Sequence, residues 1–246
     1  MSTIRDYHRP ATIEEALDLL GRDDVVTVPL GGGTTLNGLP DTAPDEVVDL
    51  QLLGLSEIAY QNSSLNIGAM TTLAKLAAHE MTPAAILGLA KREAPNTIRN
   101  AATLGGTVGA ADSESPLLAG LLAYDTTVTT VGSDGSAEID LADLLSDNSL
   151  LEARLITSLR LPVGGDAAWE STQRTPADRP IVLVVGRRNG AGQVRLAATG
   201  VAQTPTNIDP QNLDELDPPS DFRGSSVYRT HLAKVLTARV MSRLGE

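Results

Sequence analysis

Cysteine is absent from this chain of 246 residues. Its absence excludes a disulfide framework, a thiolate nucleophile, a cysteine-ligated zinc site and an iron–sulfur cluster held by the chain's own thiolates. Histidine is scarce: His8, His79 and His231 stand far apart, so no metal site is written locally. Aromatic rings are few, namely Tyr7, Tyr60, Tyr124, Trp169, Phe222 and Tyr228. Little is therefore available to stack on a base or a planar cofactor, and the core must be aliphatic. No apolar run reaches the ~18–20 residues of a membrane span. Positive charge is in deficit, with 19 Lys and Arg against 31 Asp and Glu, a net −12. Such a surface repels phosphate backbones and anionic membranes, which argues against nucleic acid as a partner. The start, Met1 to Pro10, is polar and has no signal-peptide core, so a cytoplasmic location is expected.

What is present reads as an α+β chain. Thr12-Ile13-Glu14-Glu15 forms a capping box, and Ile13, Ala16, Leu17 and Leu20 give the following helix one apolar face. Strands are expected at Val25 to Leu30, Glu46 to Leu50 and Leu65 to Ala69, and helices at Thr72 to His79 and Pro83 to Glu93. Ser115-Pro116 starts a helix through Ala123. Thr126 to Val131 and Ala137 to Leu141 flank Ser133-Asp134-Gly135 as a hairpin, and Leu155 to Leu161 is a strand stopped by Pro162. Gly164-Gly165-Asp166 is the best domain boundary. Beyond it, strands Ile181 to Arg188 and Gln193 to Gly200 flank Asn189-Gly190-Ala191-Gly192. Thr204 to Pro219 is a connector. The last helix begins near Ser225, with Tyr228, Leu232, Val235, Leu236, Val240 and Leu244 on one face.

Two glycine loops carry the chemistry. Leu30 leads into Gly31-Gly32-Gly33-Thr34-Thr35, and Thr103-Leu104-Gly105-Gly106-Thr107 repeats the pattern. Glycine lets the backbone approach a ligand closely, and successive N–H groups in such turns form anion-binding concavities. Either loop alone reads as a tight turn; two converging on one diphosphate would suit a dinucleotide. The spacing is neither a Rossmann fingerprint nor a P-loop, and Gly38 and Pro40 prevent a long helix after the first loop.

Other groups admit blander readings. Asp112 and Ser113-Glu114-Ser115 form a helix-capping cluster or contact a ribose or ring. Arg174, Arg179, Arg187 and Arg188 make a solvated strand edge or a phosphate or partner contact. His79 suits a helix C-terminus, and His231 packing or surface. No residue is nominated as general acid or base, and no metal ligands are expected.

Several segments together resemble the FAD-binding medium subunits of molybdenum hydroxylases, the family of xanthine dehydrogenase and aerobic carbon monoxide dehydrogenase flavoproteins. They are Tyr7-His8-Arg9-Pro10, Pro29 to Thr34, Ile67-Gly68-Ala69-Met70-Thr71-Thr72 and, most specific, Ile98-Arg99-Asn100-Ala101-Ala102-Thr103-Leu104-Gly105-Gly106. Leu121 to Asp125, Leu155 to Pro162 and Ser225-Ser226-Val227-Tyr228-Arg229 extend the likeness over nearly the whole chain.

The resemblance implies a two-subdomain FAD-binding domain of the vanillyl-alcohol-oxidase/PCMH type plus a small C-terminal α+β domain. The expected divisions are 1–57, 58–163 and 164–246. FAD would lie with its diphosphate between Leu30 to Thr35 and Thr103 to Thr107, with Asp112 beside it. The partners implied are a large molybdopterin-binding subunit and a small [2Fe-2S] subunit, in a dimer of heterotrimers. Electrons would reach FAD from the clusters and leave to an external acceptor. Three departures stand out. Thr107 replaces the family's Asn, Pro116 falls on its Asp, and Arg179 stands where an aromatic is usual. The loops around 35–40 and 81–96 are also shortened. These departures support the alternative of a flavin-free paralogue that docks the other subunits.

Overall fold

The computed structural model describes residues 4–36, 44–175 and 178–246. The glycine and proline expected to block a helix, Gly38 and Pro40, lie outside the described residues, as does most of the shortened 35–40 loop. The first sheet is parallel and has three strands, Asp6–His8 (β1), Thr27–Leu30 (β2) and Glu46–Asp49 (β3), with β3 in the middle. Helix Ile13–Leu20 (α1) bridges β1 and β2. Thr12 caps it, accepting from Glu15 N at 3.2 Å, while the Glu15 carboxylate reaches back to Ala11 N at 2.9 Å. The capping box thus extends one residue further than expected. Ala16 buries against Val48, Leu50 and Leu155.

The second sheet is antiparallel. Its strands are Ile58–Gln61 (β4), Ser64–Gly68 (β5), Thr127–Gly132 (β6), Gly135–Asp140 (β7) and Arg154–Pro162 (β8), in the order β4-β5-β8-β6-β7. Five helices intervene between β5 and β6: Leu73–Ala78 (α2), Ala84–Glu93 (α3), Asn96–Arg99 (α4), Leu104–Ala110 (α5) and Pro116–Ala123 (α6). Helix Leu141–Ser146 (α7) follows β7. Every residue of α6 is buried. A helix apolar all round must be covered all round, and this one packs under the third sheet.

That sheet contains Asp166–Thr172 (β9), Val182–Arg188 (β10), Val194–Thr199 (β11) and the short Thr206–Asn207 (β12), in the order β12-β11-β10-β9. Leu183 and Val185 of β10 join the core around α6. Val182 and Val184 face the C-terminal helix Ser226–Leu244 (α8). A strand covered on both faces explains the unbroken run Val182-Leu183-Val184-Val185. The C-terminal sheet therefore shares a core with the middle of the chain.

Some expectations shift. β4 and β9 were not expected, since neither is a β-branched run. Leu141 starts α7 instead of ending a strand, and Pro162 still pairs with Ser64 at the end of its ladder. On α8 the buried stripe contains Arg229, Leu232, Ala233, Leu236, Thr237, Val240 and Leu244. Tyr228 is turned to solvent. Arg229 takes its place because the buried carbonyls of Ile181 and Gly200 need a donor. Among the described residues, no helix is long and apolar enough to cross a membrane.

Candidate functional site

The first glycine loop leaves the carboxyl end of β2, where parallel strands leave room for ligands. It is pressed against the second. A Cβ on Gly31 would stand 2.6 Å from Thr103 Oγ1, and one on Gly32 would overlap the Ala101 carbonyl. These two glycines are required by loop-to-loop contact. Gly33 is required by conformation, with φ of 67°. Among the described residues, the amides of Gly31, Gly32, Gly33 and Thr34 meet no acceptor. Free amides around a left-handed residue form an anion-binding nest.

The second loop differs from the expectation. It is the first turn of α5, and Thr103 is its cap. Leu104 N donates to Thr71 O at 2.9 Å, Gly105 N to Ala69 O at 2.8 Å and Gly106 N to Thr103 Oγ1 at 3.1 Å. Thr107 N donates to Thr103 O at 2.9 Å, and its hydroxyl donates to the same carbonyl at 3.0 Å. The donors of this segment are thus spent inside the protein. Its role is to be a close-packed wall: a Cβ on Gly105 would lie 2.7 Å from Ala69 Cβ. Sequence could not separate the two loops, because a glycine pair opening a helix looks like a glycine pair in a turn.

Both loops line a cavity of about 550 Å³. Gly31 to Thr35, Thr103 and Gly105 to Thr107 line it, and so does Asp112. Leu30 and Leu104 are not part of the wall; Leu30 O accepts from Leu50 N at 3.1 Å, and Leu104 is buried in the core. Apolar surface comes from Leu50, Met70, Ile98, Leu151 and Ile156. No aromatic side chain lines it among the described residues. Size, a free-amide nest at one wall and aliphatic faces elsewhere fit a dinucleotide. Gly109 lines the cavity with open space where its Cβ would point.

Four charged residues, Glu93, Asp112, Arg154 and Arg179, also line the cavity. Arg179, from the segment before β10, pairs with Asp112. Arg179 is exposed, at the rim of the cavity. Arg187, by contrast, is buried, holds Gly164 O at 3.1 Å and lies over the Tyr124 ring at 4.5 Å. Glu93 was missed. Its Oε2 accepts from Ser115 Oγ at 2.8 Å and Leu117 N at 3.0 Å, tying α3 to the start of α6. Its signal was positional: Ile86, Leu89, Ala90 and Glu93 fall on one buried helix face. Burial pushes its carboxyl above the usual range; the bonds from Leu117 and Ser115 and nearby Arg179 oppose this, and Asp112 adds to it. Arg99, in the most specific motif, has a local task. It donates to Lys91 O at 2.9 Å and to Ala94 O, joining α3 to α4. His79 ends α2, its Nδ1 accepting from Met81 N at 3.3 Å, and His231 is exposed. Among the described residues, no group of acids and histidines could hold a metal ion.

Residues 2–164 match the family described as the FAD binding domain in molybdopterin dehydrogenase. The chain belongs to this family. FAD is the cofactor of such a domain, and the fold is that of its solved members. The carbon monoxide dehydrogenase structure from Oligotropha carboxidovorans superposes with a TM-score of 0.83 at 27% identity, covering 99% of this chain and 98% of that one. The carbon monoxide dehydrogenase medium chain of Afipia carboxidovorans is 27% identical over 97% of this chain and 96% of its own length. The Escherichia coli (strain K12) protein YgfM is 28% identical over 96% of this chain and 94% of its own. The FAD-binding chain is thus a medium subunit of the molybdenum hydroxylase type, and an oxidoreductase subunit.

Two predictions arise for this cavity as the place where FAD binds. Gly109→Leu places a side chain into the cavity from a helix that has room for it. FAD retention should fall at least about tenfold while the melting temperature holds, since Leu is the better helix former. Equal flavin content in variant and parent would move the cofactor away from α5. The second concerns pH. A protonated Glu93 adds no charge to the cavity wall; an ionised one repels an anionic ligand bound there. FAD affinity should therefore fall as pH rises above the ordinary carboxylate range, and Glu93→Gln should flatten that limb. Fluorescence quenching of FAD by the apoprotein across pH reads this out, and identical profiles would contradict it. Stability follows the same sign. Glu93's raised value contributes most below the ordinary carboxylate range, and that contribution is lost as pH rises.

Proposed function

We propose that this chain is the electron-transfer subunit of a multi-subunit molybdenum hydroxylase. The amides of Gly31 to Thr34 and the hydroxyls of Thr34 and Thr35 hold the FAD diphosphate. Thr103, Gly105, Gly106 and Thr107 supply the facing wall, and Asp112 fixes Arg179 at its rim. When bound, FAD would supply the redox chemistry of electron uptake and release. The protein's own contribution is orientation, electrostatics and exclusion of water. Three units, 1–57, 58–163 and 164–246, surround the cavity, the last one covering it through Arg179.

The observation that carries this reading is the glycine-walled cavity within the family match. The lack of cysteine supports the partners. A redox subunit without thiolates takes its electrons from clusters on another chain. We assign those to a small [2Fe-2S] subunit, fed by a large molybdopterin subunit, in a cytoplasmic dimer of heterotrimers. The flavin-free docking role finds no support in the cavity, which no bulky side chain fills among the described residues. Co-expression with the neighbouring reading frames tests the assembly. The purified complex should contain iron, molybdenum and FAD together. A chain that purifies with FAD but never with an iron-containing partner would refute it.

A further inference from the structure

A second recess, of about 350 Å³, opens on the other side of Arg179, which lines both it and the FAD cavity. Phe222 is its most conspicuous wall, with 85% of its surface exposed. The guanidinium of Arg174 lies 5.7 Å from the ring centre and that of Arg223 lies 5.8 Å away. The lining holds three guanidinia, Arg174, Arg179 and Arg223, against two carboxylates, Glu114 and Asp178. Two more carboxylates, Asp112 and Asp221, pair with Arg179 and Arg223 from outside the lining, so the character of the recess depends on which cation is least neutralised.

The ring is presented on a stiff support. Asp221 Oδ1 accepts from Arg223 N at 2.8 Å and Gly224 N at 3.1 Å, closing a tight turn around Phe222. Oδ2 of the same carboxylate accepts from Arg229 at 2.8 Å, and that guanidinium is buried and bonded to Ile181 O and Gly200 O. An exposed ring fixed from behind by a buried ion pair is preorganised and loses little entropy on stacking. The cations differ in availability. Arg179 is paired with Asp112, and Arg223 with Glu114. Among the described residues, Arg174 pairs with Asp178 alone, at 3.6 Å through Nε. Its terminal nitrogens are the ones open to a ligand.

We propose that this recess binds a planar aromatic anion, a base or ring carrying phosphate. The ring stacks on Phe222 and the anion pairs with Arg174. Binding itself stands apart from the proposed function; the consequence for electron transfer rests on it, because a ligand here is one guanidinium away from the cofactor cavity.

The test uses the FAD-loaded protein, so that the cofactor cavity is filled, and AMP as probe. Adenosine supplies the ring alone and inorganic phosphate the anion alone. AMP should bind more tightly than either. Phe222→Ala and Arg174→Ala should each weaken AMP about tenfold, the scale of one stacked base or one desolvated cation contact. Flavin content, measured in the same samples, should be unchanged by both substitutions. AMP binding no tighter than phosphate or adenosine, or unaffected by both substitutions, overturns the site. Loss of flavin from the parent protein would instead count against the cofactor assignment.

Discussion

Arg229→Ala should unfold the C-terminal sheet and helix well before the rest of the chain. Arg229 is 1% exposed, yet it carries a full charge. Its Nη1 satisfies Ile181 O at 2.6 Å and Gly200 O at 3.1 Å, and its Nη2 pairs with Asp221. These partners come from the start of β10, the end of β11 and the turn before α8. One side chain therefore staples sheet to helix. Truncation leaves two carbonyls without their donor and a carboxylate without its cation, which costs about 3–5 kcal/mol. A urea midpoint for the variant within experimental error of the parent's would show that the staple is not needed. Arg229→Lys should recover only part of the loss, because a single ammonium lacks the fork that spans three acceptors. Asp221 gives this network a pH limit. Burial pushes its carboxyl up, but Arg229 and the amides of Arg223 and Gly224 bring it below the usual carboxylate value. The stabilisation is complete at neutral pH and is lost as pH falls through the acid range.

Gly32→Val should abolish FAD binding, raising the dissociation constant by more than ~100-fold. The cause is contact between chains of backbone. Any Cβ at Gly32 overlaps the Ala101 carbonyl, and no rotamer moves backbone away. The first loop must lift off the wall that holds Thr103, and the amide nest of Gly31 to Thr34 loses its aim. Gly105→Val should act through the wall itself, by collision with Ala69. Equilibrium dialysis of the apoprotein with FAD measures both. Full retention in Gly32→Val would mean that the two loops need not touch for the cofactor to bind.

How much of this was legible before the fold was known depends on the physical signal. Caps are local, so Thr12 and Ser115 could be read from a few residues. Ser115-Pro116 marked the start of α6 to the residue. The glycine loops were visible as sequence, and the structure lines one cavity with both. Their different duties were hidden, because a free amide and a paired amide look alike in a string of letters. Glu93 and Arg229 were hidden for a different reason. A charged residue on an apolar stripe reads as a surface residue until its partners, more than twenty residues away, are known. Arg179, though exposed, likewise finds its partner Asp112 67 residues away. β9 escaped because Asp166–Thr172 contains no alternating apolar pattern; it is held as a strand by pairing along the whole of β10.

The scarcity of aromatic rings now has a specific meaning. None lines the glycine-walled cavity among the described residues, so the proposed site offers FAD backbone donors and aliphatic walls. The decisive measurement is the flavin content of the purified chain, released by heat and quantified by fluorescence. The account predicts one FAD per chain, restored when the stripped protein is mixed with FAD and absent in Gly32→Val. A colourless protein that takes up no FAD in either form would contradict it.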